Sequence, residues 1–243
     1  MIDIHCHFLP GIDDGPESMA EAVLLARMAV ADGITHTIVT PHIHPGRYDN
    51  EKASIEQGFH AYTQKLQEEN IALKVGMASE VRISMEILPL IAEDKIPFVG
   101  ELDGYKILLL EFPHSHILPG SDKLVDYLLQ RNIRPLIAHP ERNKDVMRKV
   151  EKIEPFVKMG CLLQLTAASV AGHFGSIAQQ RSHQLLEAGW AHVIATDAHD
   201  PKNRPPILKA GQQAASEIVG DEEAFKLVDT HPRAIISSHI FSQ

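Results

Sequence analysis

The sequence predicts an α/β fold in which parallel strands close into a barrel, with residues 1–243 forming a single domain. Three observations point there. Short apolar runs of strand length alternate with helical patterns along the chain, the order that builds a parallel sheet. About seven such units fit into 243 residues, a length at which α/β barrels are commonly one domain. Run after run is followed by a histidine or a carboxylate, and in a parallel barrel all strand C-terminal ends lie on one face. The barrel is expected to be irregular. An open doubly wound sheet is the alternative, but no Gly-x-Gly-x-x-Gly follows the first strand, so a dinucleotide fold has no support. No internal repeat, low-complexity tract or linker is visible.

The elements follow from periodicity. Ile2 and Ile4 alternate with Asp3 and His5, which reads as a strand ending at Pro10-Gly11. Glu17 to Asp32 carries an apolar stripe (Ala22, Leu25, Ala26, Ala29, Val30) and stops at Gly33, as a helix should. His36 to Thr40 is a buried strand leading into Pro41-His42-Ile43-His44-Pro45-Gly46. Glu51 to Asn70 is a helix, Ile71 to Val75 a strand, and Met77 to Arg82 lies at or beyond its end. Met85 to Glu93 is helical, and Tyr105 to Phe112 is a strand followed by Pro113-His114-Ser115-His116. Asp122 to Arg131 is a helix and Ile133 to Ala138 a strand leading into His139-Pro140-Glu141-Arg142-Asn143. Val146 to Met159 reads as one helix stopped by Gly160, Cys161 to Leu165 as a strand, Ser176 to Ala188 as a helix and His192 to Ala195 as a strand. The remainder is helical, broken at Pro205-Pro206 and at Asp229-Thr230-His231-Pro232.

Composition narrows the function. A formal net charge of −9, spread along the chain, disfavours a nucleic-acid backbone as a partner. Two cysteines, Cys6 and Cys161, make no disulfide framework. No basic and apolar leader precedes the first strand, and no apolar run approaches the roughly 20 residues of a membrane span. A soluble cytoplasmic protein without membrane insertion is expected. Fifteen histidines are the compositional oddity, and metal binding or proton transfer is the usual reason for such a cluster.

The chemistry gathers at the strand ends. Residues two apart on a strand face the same side, so His5 and His7 can present two imidazoles to one metal ion. Asp197-Ala198-His199 repeats that spacing. The full set of candidates is His5, His7, Asp14, His42, Glu80, Glu111, His139, Asp197 and His199. Nine donors exceed the roughly four that one zinc ion takes, so two or three ions sharing bridging carboxylates are expected. Mixed nitrogen and oxygen donors suit manganese, iron, cobalt or zinc rather than calcium. Such ions generate hydroxide near neutral pH and clamp phosphoryl oxygens, which points to metal-assisted hydrolysis. Arg142 follows His139 by three residues and Arg204 follows His199 by five. Guanidinium forks match phosphate oxygens, although each arginine could instead pair with a neighbouring carboxylate such as Glu141 or Asp200. Arg47 and Tyr48 lie in a polar loop and offer a substrate rim or merely a solvated surface. His44 and His231 stay open between support and ligation, and His173, His183 and His239 are assigned no role.

The motifs His-x-His, Asp-Asp-Gly-Pro, Thr-Pro-His, Ser-Glu-Val-Arg, Leu-Glu-Phe-Pro, His-Pro-Glu-Arg and Thr-Asp-Ala-His, with a later Asn-Arg-Pro-Pro, run in order from His5 to Arg204. Taken together they resemble the PHP (polymerase and histidinol phosphatase) superfamily, and more narrowly its bacterial protein-tyrosine-phosphatase branch associated with capsule and exopolysaccharide export. The resemblance implies a distorted (β/α)7 barrel of the PHP type, a trinuclear metal centre and hydrolysis of phosphotyrosine on the tail of a tyrosine autokinase. It also carries over the nine ligands and the phosphate-binding roles of Arg142 and Arg204. Related branches place a histidine near Glu111, which leaves His114 and His116 as substitutes for it.

Other readings make distinct demands. A small-molecule phosphomonoesterase such as a histidinol-phosphate phosphatase would share the centre but wall its pocket. A non-catalytic metal-binding module would close its metal shells to water. An amidohydrolase would want a bridging lysine, and none is apparent. A cysteine-dependent phosphatase needs an arginine six positions after its cysteine. Here those positions hold Ile12 and Ala167, so any phosphatase activity should be metal-driven.

Overall fold

In a computed structural model, which describes residues 1–239 and 241, the chain forms a distorted seven-stranded parallel barrel. The end of the expected 1–243 span at residues 240, 242 and 243 lies outside the described residues. The strands are β1 (Ile2–Cys6), β2 (His36–Val39), β3 (His42–Ile43), β4 (Lys74–Met77), β5 (Glu80–Arg82), β6 (Gly100–Leu102), β7 (Tyr105–Glu111), β8 (Ile133–Ala138), β9 (Leu162–Thr166) and β10 (Ala191–Ala195). One sheet runs β1-β2-β4 and the other β10-β9-β8-β7-β5-β3. Thr40-Pro41 interrupts a strand that resumes as β3, and Ala78-Ser79 interrupts one that resumes as β5. The two halves keep their partners: β2 pairs β4 and β3 pairs β5, both parallel. Counting each interrupted strand once, and leaving aside β6, which pairs antiparallel with β7 alone, gives the seven staves. Proline 41 explains the first break, since it cannot donate to the ladder. The ring closes where β1 meets β10, through the bridge between Cys6 and Ala198 and the bonds His7 N to Ala198 O (2.8 Å) and Asp197 N to His5 O (2.8 Å).

Two apolar layers explain the runs seen in the sequence. Ile107 and Leu109 join Ile2, Ile4, Ile38 and Leu136 in the barrel interior, whereas Leu108 and Leu110 pack outward against helices. A strand buried on both faces therefore reads as continuously hydrophobic. β1 changes face along its length. Ile4 lies inside but Cys6 packs outward, and the pairing register shifts between Asp3 and Cys6. That irregularity lets His5 and His7 share the mouth although Ile2 and Ile4 occupy the interior.

The helix expected at Glu17 to Asp32 runs Met19–Asp32, capped by the Ser18 hydroxyl, which accepts from Glu21 N, and ended by Gly33 at φ +96°. The third strand begins at Lys74 rather than Ile71. Three expectations are corrected. The single helix from Val146 to Met159 is instead Lys144–Arg148, a 3-10 turn Val150–Lys152, and Glu154–Lys158, because Lys149 is extended and Pro155 restarts the helix at its first turn. The C-terminal helices break at Gly220 (φ +84°) and not at Asp229–Pro232, where a π-helical turn Lys226–Thr230 runs directly into His231–Ile235. β6 was not expected. It forms an antiparallel hairpin with β7 through Asp103-Gly104, both at positive φ as a type I′ turn requires. Among the described residues no helix is long and apolar enough to cross a membrane.

Candidate metal centre

The nine candidate ligands converge at the C-terminal mouth of the barrel. Eight of them fall into donor groups whose ligand atoms all lie within 4.8 Å of one another: His7, Asp14, His42 and His199; His5, His7, Glu80 and Asp197; and His42, Glu80 and Glu111. Each pair of groups shares one residue: His7, His42 or Glu80. His139 stands beside them, its Nε2 2.7 Å from Glu80 Oε1. His114 and His116 fall in none of these groups, so the expected substitutes for Glu111 are not gathered here.

Glu80 is the hub. Its Oε2 lies 3.3 Å from His5 Nε2, 3.3 Å from His7 Nε2 and 3.1 Å from His42 Nδ1. The interruption before β5 brings this carboxylate into the mouth, fully buried. Asp14, on the loop after β1, is the exception to burial, with its side chain 40% exposed. Its Oδ1 lies 3.3 Å from His42 Nε2 and 3.4 Å from His199 Nε2. Two candidates sit in strained backbone: His139 at φ +34° and Asp197 at φ +52°. Left-handed non-glycine residues cost of order 1–3 kcal/mol and concentrate at functional sites.

Asp197 divides its two oxygens. Oδ1 faces His5 Nε2 at 3.3 Å, His7 Nε2 at 3.6 Å and His199 Nδ1 at 3.6 Å. Oδ2 accepts hydrogen bonds from Arg142 Nη1 and Arg204 Nη2. Both arginines therefore pair with a carboxylate, but with Asp197 rather than Glu141 or Asp200. Burial pushes Asp197 up, yet Arg204 and Arg142, then His5 and His199, hold it well below the usual carboxylate range.

Several supporting groups were not singled out from sequence. Asp13 Oδ2 takes His7 Nδ1 at 2.6 Å and the His42 backbone N–H at 3.0 Å. Gln164 Oε1 lies 2.8 Å from His5 Nδ1. Such partners fix which ring nitrogen faces a metal. The Asp13-Asp14 doublet carried a signal for the first, while a lone glutamine inside a strand carried none. Arg82 places Nε 3.0 Å from Glu111 Oε2. Tyr48 stacks on His42, with ring centroids 5.5 Å apart and planes 5° apart. His44 pairs with Tyr48 only through its backbone, and His231 lies at the opposite end of β10, its Nδ1 2.9 Å from His192 O.

The donor set fits divalent cations. Burial pushes His5 and His7 down, but Glu80 and Asp197 for the first and Asp13 and Glu80 for the second reverse it and lift both to about 9. The carboxylates thus draw positive charge to these buried nitrogens, and a metal ion supplies it as well as a proton does. Burial and then Glu80 push Glu111 up to about 7, against Arg82. Burial and then Arg142 pull His139 down to about 4; for His199, at the same value, His7 follows burial. His42 Nδ1 and Glu111 Oε2 are buried and face Glu80 Oε2 at 3.1 Å and Arg82 Nε at 3.0 Å without hydrogen-bond geometry. Buried donors and acceptors left without a hydrogen bond are costly unless something ligates them.

A parallel barrel with a histidine–carboxylate cluster at its C-terminal mouth places the protein among the metal-hydrolase barrels. The solved folds agree: a lactonase from Listeria monocytogenes (TM-score 0.57, 13% identity, 96% of this chain and 93% of that one) and molinate hydrolase (0.53, 13%, 96% and 72%) share the architecture. The particular family follows from closer likeness. The chain belongs to the capsular polysaccharide synthesis CpsB/CapC family, which it matches over residues 1–237. It is 33% identical to the tyrosine-protein phosphatase YwqE of Bacillus subtilis over the whole chain and 94% of that protein. It is 25% identical to the tyrosine-protein phosphatase CpsB of Streptococcus pneumoniae over 99% of this chain and all of that one. A crystal structure from work on YwqE and CpsB, described as unique metal-dependent tyrosine phosphatases, superposes with a TM-score of 0.90 at 33% identity, covering 100% of this chain and 97% of that one.

Proposed function

We propose that the protein is a metal-dependent tyrosine phosphatase working in the cytoplasm on the phosphotyrosine tail of a tyrosine autokinase that governs capsular or exopolysaccharide synthesis. Residues 1–243 act as one domain in this reading. The centre holds two or three divalent ions drawn from manganese, iron, cobalt and zinc. His5, His7, Asp14, His42, Glu80, Glu111, His139, Asp197 and His199 would hold them, Glu80 being the carboxylate common to two of the donor groups. Bound ions supply Lewis acidity, lowering the pKa of water and offsetting phosphoryl charge.

The observation that carries this reading is the divided use of Asp197. One oxygen belongs to the histidine cluster and the other to Arg142 and Arg204. The cations that match phosphate oxygens are thereby fixed one carboxylate away from the metal donors. A phosphoryl group at this point meets both. Arg142 and Arg204 orient its oxygens for in-line attack by water, and the bond from phosphorus to the tyrosine oxygen breaks on the opposite side. The side chains of Arg142 and Arg204 are 21% and 25% exposed, so both reach the solvent from which substrate arrives.

The deciding experiment is hydrolysis of p-nitrophenyl phosphate, a phosphotyrosine peptide and histidinol phosphate, with and without chelator, alongside elemental analysis. Chelator-sensitive turnover restored by manganese, iron, cobalt or zinc, with the peptide preferred, supports the reading. Preference for histidinol phosphate moves the substrate to a metabolite. Tightly held metal with no phosphoester turnover makes the protein a binding module.

A further inference from the structure

Beside the arginines lies a cavity of about 290 Å³ that the hydrolytic chemistry does not use. Ala167, Ala168 and Ala171, from the short helix Ala167–Val170 and its end, form a wall without bulk. Phe174 and Ile207 flank it, and Thr196 and Arg204 connect it to the candidate centre. Thr196 immediately precedes Asp197, and Arg204 is bonded to Asp197. The rim is polar: Lys202 and Asn203 are exposed there, and their backbone N–H groups both donate to the Asp200 carboxylate. A second, more open cleft is lined by both arginines and walled by Met147 and Phe174, with Arg142 Cζ 5.0 Å from the centre of the Phe174 ring. Phe174 and Arg204 are the partition the two spaces share.

We propose that this cavity is a specificity subsite that takes an apolar side chain of the substrate polypeptide, one flanking the phosphotyrosine. The proposal rests on the phosphotyrosine reading above and adds which neighbouring residue the enzyme selects. Ligand pockets run from roughly 300 to 1,000 Å³, so a space at the lower end fits one side chain and not a folded segment. The cleft between Met147 and Phe174 is lined by Arg142 and Arg204, which suits the reacting aromatic ring. A polypeptide continuing past that ring crosses the Phe174–Arg204 partition and meets the alanine-walled cavity next. A small phosphoester has no group that reaches the cavity, and this separates the subsite from the centre experimentally.

The test uses the metal-loaded protein, p-nitrophenyl phosphate, and phosphotyrosine peptides on a glycine background with one phenylalanine moved through the two positions on each side. One position is expected to raise kcat/KM about tenfold, the scale on which hydrophobic pockets discriminate. Ala171→Leu and, separately, Ala168→Leu fill the cavity. Either is expected to erase that preference while leaving p-nitrophenyl phosphate turnover within twofold. No preference at any position in the wild type overturns the proposal, as does a preference that survives both substitutions. An equal loss on p-nitrophenyl phosphate assigns the space to the reacting ring and also overturns it. Absence of all phosphotyrosine hydrolysis by the wild type is a different result and removes the underlying function.

Discussion

Asp13 Oδ2 sits 2.6 Å from His7 Nδ1 while also accepting the His42 backbone N–H at 3.0 Å, so one carboxylate sets two candidate ligands at once. The contact leaves His7 Nε2 as the nitrogen facing Glu80 and Asp197. Loss of such a partner typically costs 10- to 100-fold in metal affinity or activity. Asp13→Ala is therefore expected to weaken metal binding by about that factor, with activity largely recovered at high metal concentration. Metal titration of the chelator-stripped protein measures it; wild-type affinity in the variant contradicts the role.

Arg142 offers the complementary case. It contacts Asp197 on the oxygen turned away from the histidines, and Arg204 remains there when it is removed. Arg142→Ala should therefore keep its metal and lose turnover by roughly 10²- to 10³-fold, the scale for deleting one group that stabilises transition-state charge. Elemental analysis and kcat on p-nitrophenyl phosphate settle this together. Unchanged kcat, or loss of metal in proportion to loss of activity, counts against a phosphate-binding role.

His192 gives a pH prediction remote from the centre. It stacks on His231 with ring centroids 4.6 Å apart, at the end of the barrel opposite the mouth. Burial, then the neighbouring His231 and Arg134, pulls it down from 6.5 to about 4. The unfolded chain thus binds a proton on His192 that the folded chain refuses between those values. Its contribution to stability is complete above pH 6.5 and disappears as pH falls toward 4. His192→Phe keeps the ring and removes the titration, so Tm should fall less steeply over that window than in the wild type. Parallel Tm curves for the two proteins would rule the assignment out.

Gly211 marks where the helix Lys209–Val219 presses against the alanine-walled cavity. A Cβ there would lie 2.6 Å from both Cα and Cβ of Ala167. The backbone and methyl of Ala167 together leave little room to yield. Gly211→Ala is expected to destabilise by about 1–3 kcal/mol through overpacking, despite alanine's better helix propensity. Urea unfolding reads the change, and a stabilised variant would show that the helix can move away.

The strand ends were legible because a barrel sends every C-terminal end to one face, so position alone announced where His5, His42, Glu80, His139 and Asp197 would meet. What stayed hidden was local. The Val146–Met159 stretch kept a helical apolar period, yet extended Lys149 divided it, a decision made by packing and not by propensity. The hairpin at Asp103-Gly104 had its signal in plain sight, but Gly-Glu-Leu before it was too short and polar to read as a strand. Gln164 was invisible for another reason: nothing about a buried glutamine says that a histidine 159 residues earlier will need its oxygen.

The joint that closes the ring lies between β1 and the end of β10, at the rim where His5, His7 and Asp197 cluster. The chain's earliest and latest contributions to the centre are thus brought together by the last strand to be made. A ribosome-bound chain that stops short of Asp197, His199 and Arg204 carries twelve of the fifteen histidines, yet two candidate ligands and a guanidinium are missing. The set is complete only once the segment after β10 has emerged and docked on β1.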